Sequence, residues 1–290
     1  MHKFLRAIGF SDITKKDLEM ILDEVIARPE IMKITKDSEG NEFAELSGSF
    51  AANMGITVRG TYEEDDSFHM DYYYPYLFGT SITTQEQIDV EKHAEKESYA
   101  GVCDEMNLGV TLIFYVQNVA DYLAEANRHL SRIYRGAMLA GLSTEGKILC
   151  PVLECKQKDA PAVQKKEQHN QLIAQAREGN EEAIESLTLE DMDTYALLSQ
   201  RIMKEDVFSI VKSTFMPFGI ESDQYSVLGE IVDFTFMENK MTQEKLYEMK
   251  LLCNGLYFDV CINEKDLLGE PAVGRRFRGN VWMQGNLCLE

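Results

Sequence analysis

The sequence predicts an α+β fold: two antiparallel β-meander units with flanking helices and a helical segment between them. Three observations carry that expectation. A capped, amphipathic helix opens the chain, period-two alternation of apolar residues recurs in both its first and last thirds, and a polar stretch with helical spacing separates the two. The units that follow are 1–155, an N-terminal α+β unit, 156–206, a polar linker and helical segment, and 207–290, a C-terminal meander.

Thr14 followed by Asp17 forms a capping box with Asp in the place of Glu. It starts a helix whose stripe is Leu18, Ile21, Leu22, Val25 and Ile26, and Pro29 stops it. After the polar turn Glu63–Ser67, Phe68, Met70, Tyr72, Tyr74 and Tyr76 alternate with His69, Asp71 and Tyr73, which reads as a strand. Val110–Val116 is apolar on both faces and suits a strand covered on both sides. Asn118 is placed to cap a helix carrying Val119, Tyr122, Leu123, Ala126, Leu130 and Ile133, and "TEGK" (Thr144–Lys147) suggests a hairpin.

Composition shifts at Cys155–Gln171, the linker, and three helical pieces follow up to residue 206. Leu172, Ile173 and Ala176 mark the first, Asn180 with Glu181 and Glu182 opens the second, and Thr188 with Asp191 opens the third. Beyond Val207 the period returns to two. Val232, Phe234 and Phe236 alternate, and Asn254-Gly255 joins the runs Tyr247–Cys253 and Leu256–Ile262, since Asn-Gly supplies the positive φ angles of a tight turn. The meanders of the two halves share a pattern, which convergent patterning explains as well as duplication does.

The totals describe a folded protein, 44% hydrophobic and 27% charged over 290 residues. Forty-nine acidic residues against 29 basic ones give a net charge of −20, which repels phosphate backbones, so no nucleic-acid partner is expected. The opening "MHKFLRAIGFSD" lacks a secretory leader, and no run approaches the ~20 apolar residues that span a bilayer, so a cytoplasmic protein without a membrane partner is expected. Six cysteines are scattered with no C-x-x-C pair and read as reduced thiols.

Catalytic signatures are scarce. Glu91, His93 and Glu95 at a spacing of two would share one strand face and suit a divalent ion, but a solvated strand edge explains them better. Cys103 sits beside Asp104 and Glu105, which raise a thiol's pKa, and "GLSTEG" (Gly141–Gly146) departs from the G-x-S-x-G elbow. Phosphate-loop motifs are absent. Tyr72, Tyr74 and Tyr76 offer an aromatic platform, and a half-buried strand with phenols reaching polar partners accounts for them more simply. No metal, cofactor or catalytic residue is assigned.

The C-terminal stretch "GRRFRGNVWMQGNL" is the strongest binding candidate. Its alternation puts Phe277, Val281, Met283 and Leu287 on one face and Arg276, Arg278, Asn280, Trp282 and Gln284 on the other. Same-face neighbours about 6.6 Å apart would make a patch able to hold an anionic or planar small ligand, unless Gly279 hosts a bulge that flips the register.

The segments "HKFLRAIGFS", "GVCDEMNLGVTLIFYVQN", "EDVFSIVKSTFMPFGIESDQYSVLGEI" and "DLLGEPAVGRRFRGNVWMQG" resemble, over essentially the whole chain, a bacterial family known as a domain of unknown function, mostly from Gram-positive anaerobes. The resemblance implies a bacterial, cytoplasmic protein and supplies no catalytic residues. The functional expectation is a non-enzymatic protein that binds an unknown protein partner or a small anionic or planar ligand. The alternative is an enzyme, metal-dependent if Glu91, His93 or His69 act, with its site in a cleft between the halves.

Overall fold

The computed structural model describes residues 1–92, 96–127, 134–152, 180 and 211–288. Residues 1–150 and 213–290 cluster as one compact unit. The chain opens with a 3₁₀ turn, Lys3–Ile8, ended by Gly9 at φ 93°, and helix α1, Lys15–Ala27. Both halves of the expected capping box form, and Leu18, Ile21, Leu22 and Val25 are buried.

Four strands then build an antiparallel sheet in sequence order: β1 (Ile31–Lys36), β2 (Glu42–Ala51), β3 (Met54–Tyr62) and β4 (Phe68–Leu77). A bulge at Asp71 changes the parity of β4, so Tyr72 stands opposite Arg59 while Met70 stands opposite Gly60.

The remaining strands are β5 (Thr84–Lys92), β6 (Tyr99–Asp104), β7 (Thr111–Val116), β8 (Tyr134–Leu149), β9 (Thr214–Pro217), β10 (Gln224–Glu238), β11 (Lys245–Cys253), β12 (Leu256–Asn263), β13 (Leu267–Leu268) and β14 (Arg276–Leu287). Helix α2, Val119–Ala126, follows β7. These ten strands form one mixed sheet that closes on itself twice. Following hydrogen-bonded neighbours from β8 through β5, β6, β7 and β14 returns to β8. Following them from β8 through β12, β11, β10 and β14 also returns to β8. The antiparallel β8–β14 ribbon is the shared wall.

This corrects the α+β expectation. Strands occupy 55% of the described residues and helical turns 14%, and the two halves do not make separate meanders. Alternation reveals that a segment is a strand but not which strand it pairs with. Here β8 and β14 are long enough to carry partners from both halves along their outer edges: β5, β12 and β13 on β8, and β10 and β7 on β14.

The hairpin expected at Thr144–Lys147 is also absent, because β8 runs straight through those residues. Gly146 serves close packing there: a Cβ would meet the Phe277 ring at 2.5 Å. The Asn254-Gly255 turn forms as expected, with φ of 49° and 87°. The linker at 155–171 and the helical pieces up to 206 lie outside the described residues, apart from Asn180.

Period two along the shared ribbon separates two cores. Ala137 and Leu139 of β8 with Phe277, Val281 and Met283 of β14 join Phe114, Tyr225, Met249, Phe258 and Val260 inside the closed circuits. Ala140, Leu142, Cys261 and Trp282 face outward and join Phe4, Ile8, Leu22, Leu46, Ile56 and Tyr76 from the N-terminal elements and the four-stranded sheet. Burying each large apolar side chain contributes about 1.5–3 kcal/mol, so both faces of the ribbon are anchored. The seam between the four-stranded sheet and the closed circuits is where polar chemistry collects.

Candidate functional site: a cavity at the sheet seam

Arg59 of β3 is fully buried in this seam. Its Nε donates to Glu45 Oε1 at 2.8 Å, and its Nη2 lies 2.6 Å from the same oxygen. Nη1 donates to the hydroxyls of Tyr72 (2.9 Å) and Tyr115 (2.8 Å). Nη2 also reaches Tyr74 Oη, Val116 O and Gln117 O at 3.1, 3.1 and 2.8 Å. Burial pulls the guanidinium's pKa down, but the surrounding Tyr115, Tyr72, Tyr74 and Glu45 outweigh it and hold the group charged. Burial in turn pushes Tyr74 and Tyr115 well up, so neither phenol acts as a base.

The Glu45 carboxylate has a second task. Its Oε2 accepts from Ala120 N at 3.0 Å, in the first turn of α2. The expected Asn118 cap does not form; the Asn118 side chain instead exchanges two hydrogen bonds with the backbone of Leu287 and pins the end of β14. A carboxylate from another strand thus satisfies an orphan N–H and meets the positive end of the helix dipole.

Beside this network lies a cavity of about 380 Å³, walled by Glu45, Ser47, Thr57, Tyr74, Gln117, Asn118 and Asn286 on its polar side. Ile31, Phe78, Met138 and Leu287 supply the apolar side. Lys33 and Asp121 meet at 2.6 Å, each partly exposed. The Ser47 and Thr57 hydroxyls pair at 2.8 Å. Gln117 is oriented by two acceptors, Leu77 O at 2.9 Å and Gln284 Oε1 at 2.8 Å, which leaves its own Oε1 buried without a partner. Formal charges within reach are therefore matched: Arg59 with Glu45, and Lys33 with Asp121.

The five residues expected on the polar face of the C-terminal strand are divided by the structure. Arg276 is buried and donates through Nε and Nη2 to Cys150 O at 2.9 and 2.8 Å. Trp282 is buried under the N-terminal segment, stacked on Phe4 at 5.2 Å and tilted against His2 at 4.8 Å, with Nε1 donating to Asp223 at 2.7 Å. Gln284 is fully buried and joins Gln117, Pro75 and Leu77. Arg278 is exposed, and half-buried Asn280 donates to the Glu145 carboxylate. These two border a depression of about 250 Å³ with Lys147. The register shift in this region adds its residue to β8, between Gly146 and Ser143, so the alternation of β14 survives.

Of the other sequence candidates, Glu91 and His69 are exposed, and His93 and Glu95 lie outside the described residues. Among the described residues no group of three or more His, Cys, Asp or Glu side chains is gathered to hold a metal. Burial first, then Glu105, pushes Cys103 up to about 11, and burial pushes Cys253 up to about 12.

A second cavity, of about 270 Å³, holds a carboxyl pair that the sequence reading missed. Glu248 of β11 and Asp259 of β12 are 8% and 3% exposed. Asp259 Oδ2 accepts from Thr80 N and Thr80 Oγ1 at 2.6 and 2.8 Å. Burial, and then the charge of Asp259, push the Glu248 carboxyl up to about 7.

Arg59, Glu45 and Gln117 were also missed. Their one sequence signal is a lone arginine in the otherwise uncharged strand "MGITVRGTY". No described helix is long and apolar enough to cross a membrane. A family model described as "Domain of unknown function, E. rectale Gene description (DUF3881)" matches residues 5–285. No curated protein and no solved structure matches the chain.

Proposed function

The chain belongs to the DUF3881 family, a bacterial domain of unknown function, and from that premise we propose that it is a binding protein for a compact, uncharged small molecule seated in the seam cavity. The observation that carries this reading is the cavity itself: about 380 Å³, near the lower end of the ~300–1,000 Å³ typical of ligand pockets. One wall is apolar and the other is rich in amides and hydroxyls. An ion entering it would lose its hydration and find no uncompensated countercharge, because Glu45 is matched by Arg59 and Lys33 by Asp121. The same pairing leaves no acid, base or thiol of the wall poised for proton transfer or attack, which supports binding rather than catalysis.

The test is a thermal-shift screen of neutral metabolites repeated on two variants. Saturation at a hundred times Kd stabilises by about 2.7 kcal/mol. Asn286→Trp, at the cavity wall, abolishes the shift, whereas Arg278→Ala/Asn280→Ala keeps it. Hits that survive Asn286→Trp overturn the assignment. A second reading keeps an anionic or planar ligand at the open end of β14, supported by Lys147 standing directly across from Arg278. Anionic hits lost only in Arg278→Ala/Asn280→Ala would favour it.

A further inference from the structure

The four-stranded sheet ends in an edge that the binding reading leaves unused. β1 pairs with β2 on one side, and no described strand pairs with it on the other. Asp37 N donates to Asn41 O across the β1–β2 turn, so alternation points the backbone groups of Thr35, Lys33 and Ile31 inward. Those of Met32 and Ile34 point outward. Lys36 points outward too, and its carbonyl accepts from Asn127 Nδ2 at 2.8 Å, which ends the open stretch. Exposed edges are usually blunted by a proline, a central charge or a cover. β1 has no proline, and its one central charge, Lys33, is neutralised by Asp121 at 2.6 Å. Its flanks are apolar instead: Ile31, Met32 and Ile34 are 42%, 49% and 46% exposed. Unpaired N–H and C=O groups between exposed apolar side chains are a template for another strand.

The residues of this edge select which strand. Laid antiparallel on itself and centred on Lys33, the run Glu30–Lys36 is self-complementary. Met32 then stands opposite Ile34 of a second copy, Ile31 opposite Thr35, and Lys36 opposite Glu30. Glu30 and Lys36 are both exposed, and neither has an ion-pair partner among the described residues. Lys33 meets its own counterpart, but each is matched by Asp121 of its own copy. Other registers lose this match. A shift of two residues one way sets Lys36 against Met32; the other way sets Glu30 against Ile34 and Lys36 against Arg28. The net charge of −20 opposes self-association over most of the surface, whereas the charges of this edge balance.

We propose that β1 is a docking edge for a second copy of the chain, the two edges pairing antiparallel about Lys33 and joining the four-stranded sheets of both copies into one. Met32 and Ile34 of each copy exchange both backbone hydrogen bonds with Ile34 and Met32 of the other. The contact rests on one short strand, so it belongs with interfaces below about 1,200 Å² and forms as concentration rises. It requires no ligand in the seam cavity.

Sedimentation equilibrium of the full chain over a concentration series tests this. The wild type passes from monomer to dimer. Ile34→Pro removes an outward N–H and leaves the β1–β2 bonds in place, so it raises the Kd of the dimer by about tenfold or more. Glu30→Lys and Lys36→Glu, each alone, set like charges against each other at both ends and weaken the dimer as well. An equimolar mixture of these two variants matches the charges at both ends again and dimerises as the wild type does. A monomer throughout the series, a dimer that Ile34→Pro leaves unchanged, or a mixture no tighter than its components overturns the proposal. If Ile34→Pro does not fold, the two charge variants and their mixture decide.

Discussion

Replacing Arg59 with methionine tests the central claim about the seam, that one buried ion pair ties the four-stranded sheet to β7 and to α2. The structure says which partners suffer. Tyr72 Oη keeps its bond to Glu97 O at 2.7 Å, and Tyr74 Oη keeps Gln117 O at 3.2 Å. Val116 O loses its Arg59 bond, and Glu45 retains only the Ala120 N–H at 3.0 Å. A buried carboxylate stripped of its cation costs about 3–5 kcal/mol, and that dominates the lost carbonyl bond at roughly 1–3. Arg59→Met should therefore destabilise the fold by about 4 kcal/mol.

The double variant Arg59→Met/Glu45→Gln removes the stranded charge, so a double-mutant cycle by urea unfolding should return a coupling of at least about 2 kcal/mol. Additivity within about 0.5 kcal/mol would refute the ion-pair account.

Two further outcomes follow from the same geometry. Burial, then the charges of Lys3 and the N-terminus, lower His2 to about 4, so its stabilising contribution is complete above pH 6.5 and is lost as pH falls toward 4. His2→Phe keeps an aromatic ring against Trp282 and removes at most about 3 kcal/mol of that pH dependence. Urea midpoints of both proteins at pH 7 and pH 4.5 check it, and parallel losses would sink it. Iodoacetamide mapping of the native protein should label exposed Cys150 and spare buried Cys103, Cys253 and Cys261, whose thiols are all pushed up; labelling of any of these three before unfolding contradicts the burial.

What the sequence made legible is local. The Thr14–Asp17 capping box, the Asn254-Gly255 turn and the apolar face of β14 depend on neighbours within a few residues, and all three formed as read. Partner choice was not legible, because period two at β8 is satisfied equally by a hairpin at Thr144–Lys147 and by the observed pairing with β14, more than a hundred residues away. The seam was hidden for a related reason. Glu45, Arg59, Tyr115 and Gln117 come from separate strands and connections, and only Arg59, the lone charge of β3, stands out in its own segment. Alternation did place Trp282 and Gln284 on the side opposite Phe277, but nothing local says that the N-terminal segment covers Trp282 or that Gln284 joins a buried amide chain.

The shared ribbon carries a consequence for how the halves depend on each other. Each circuit needs β14: the first closes through its pairing with β7 at Gln284 and Gly285, the second through its pairing with β10 from Arg276 to Trp282. Without β14 both circuits open, and β7, β8 and β10 each present an unpaired edge lined by the residues of the inner core. An N-terminal fragment ending at residue 150 would keep the four-stranded sheet but lose Trp282 from one core and Phe277, Val281 and Met283 from the other. The N-terminal half is thus half of a fold, and its seam cavity, which Asn286 and Leu287 help to wall, exists only once the last strand has closed it.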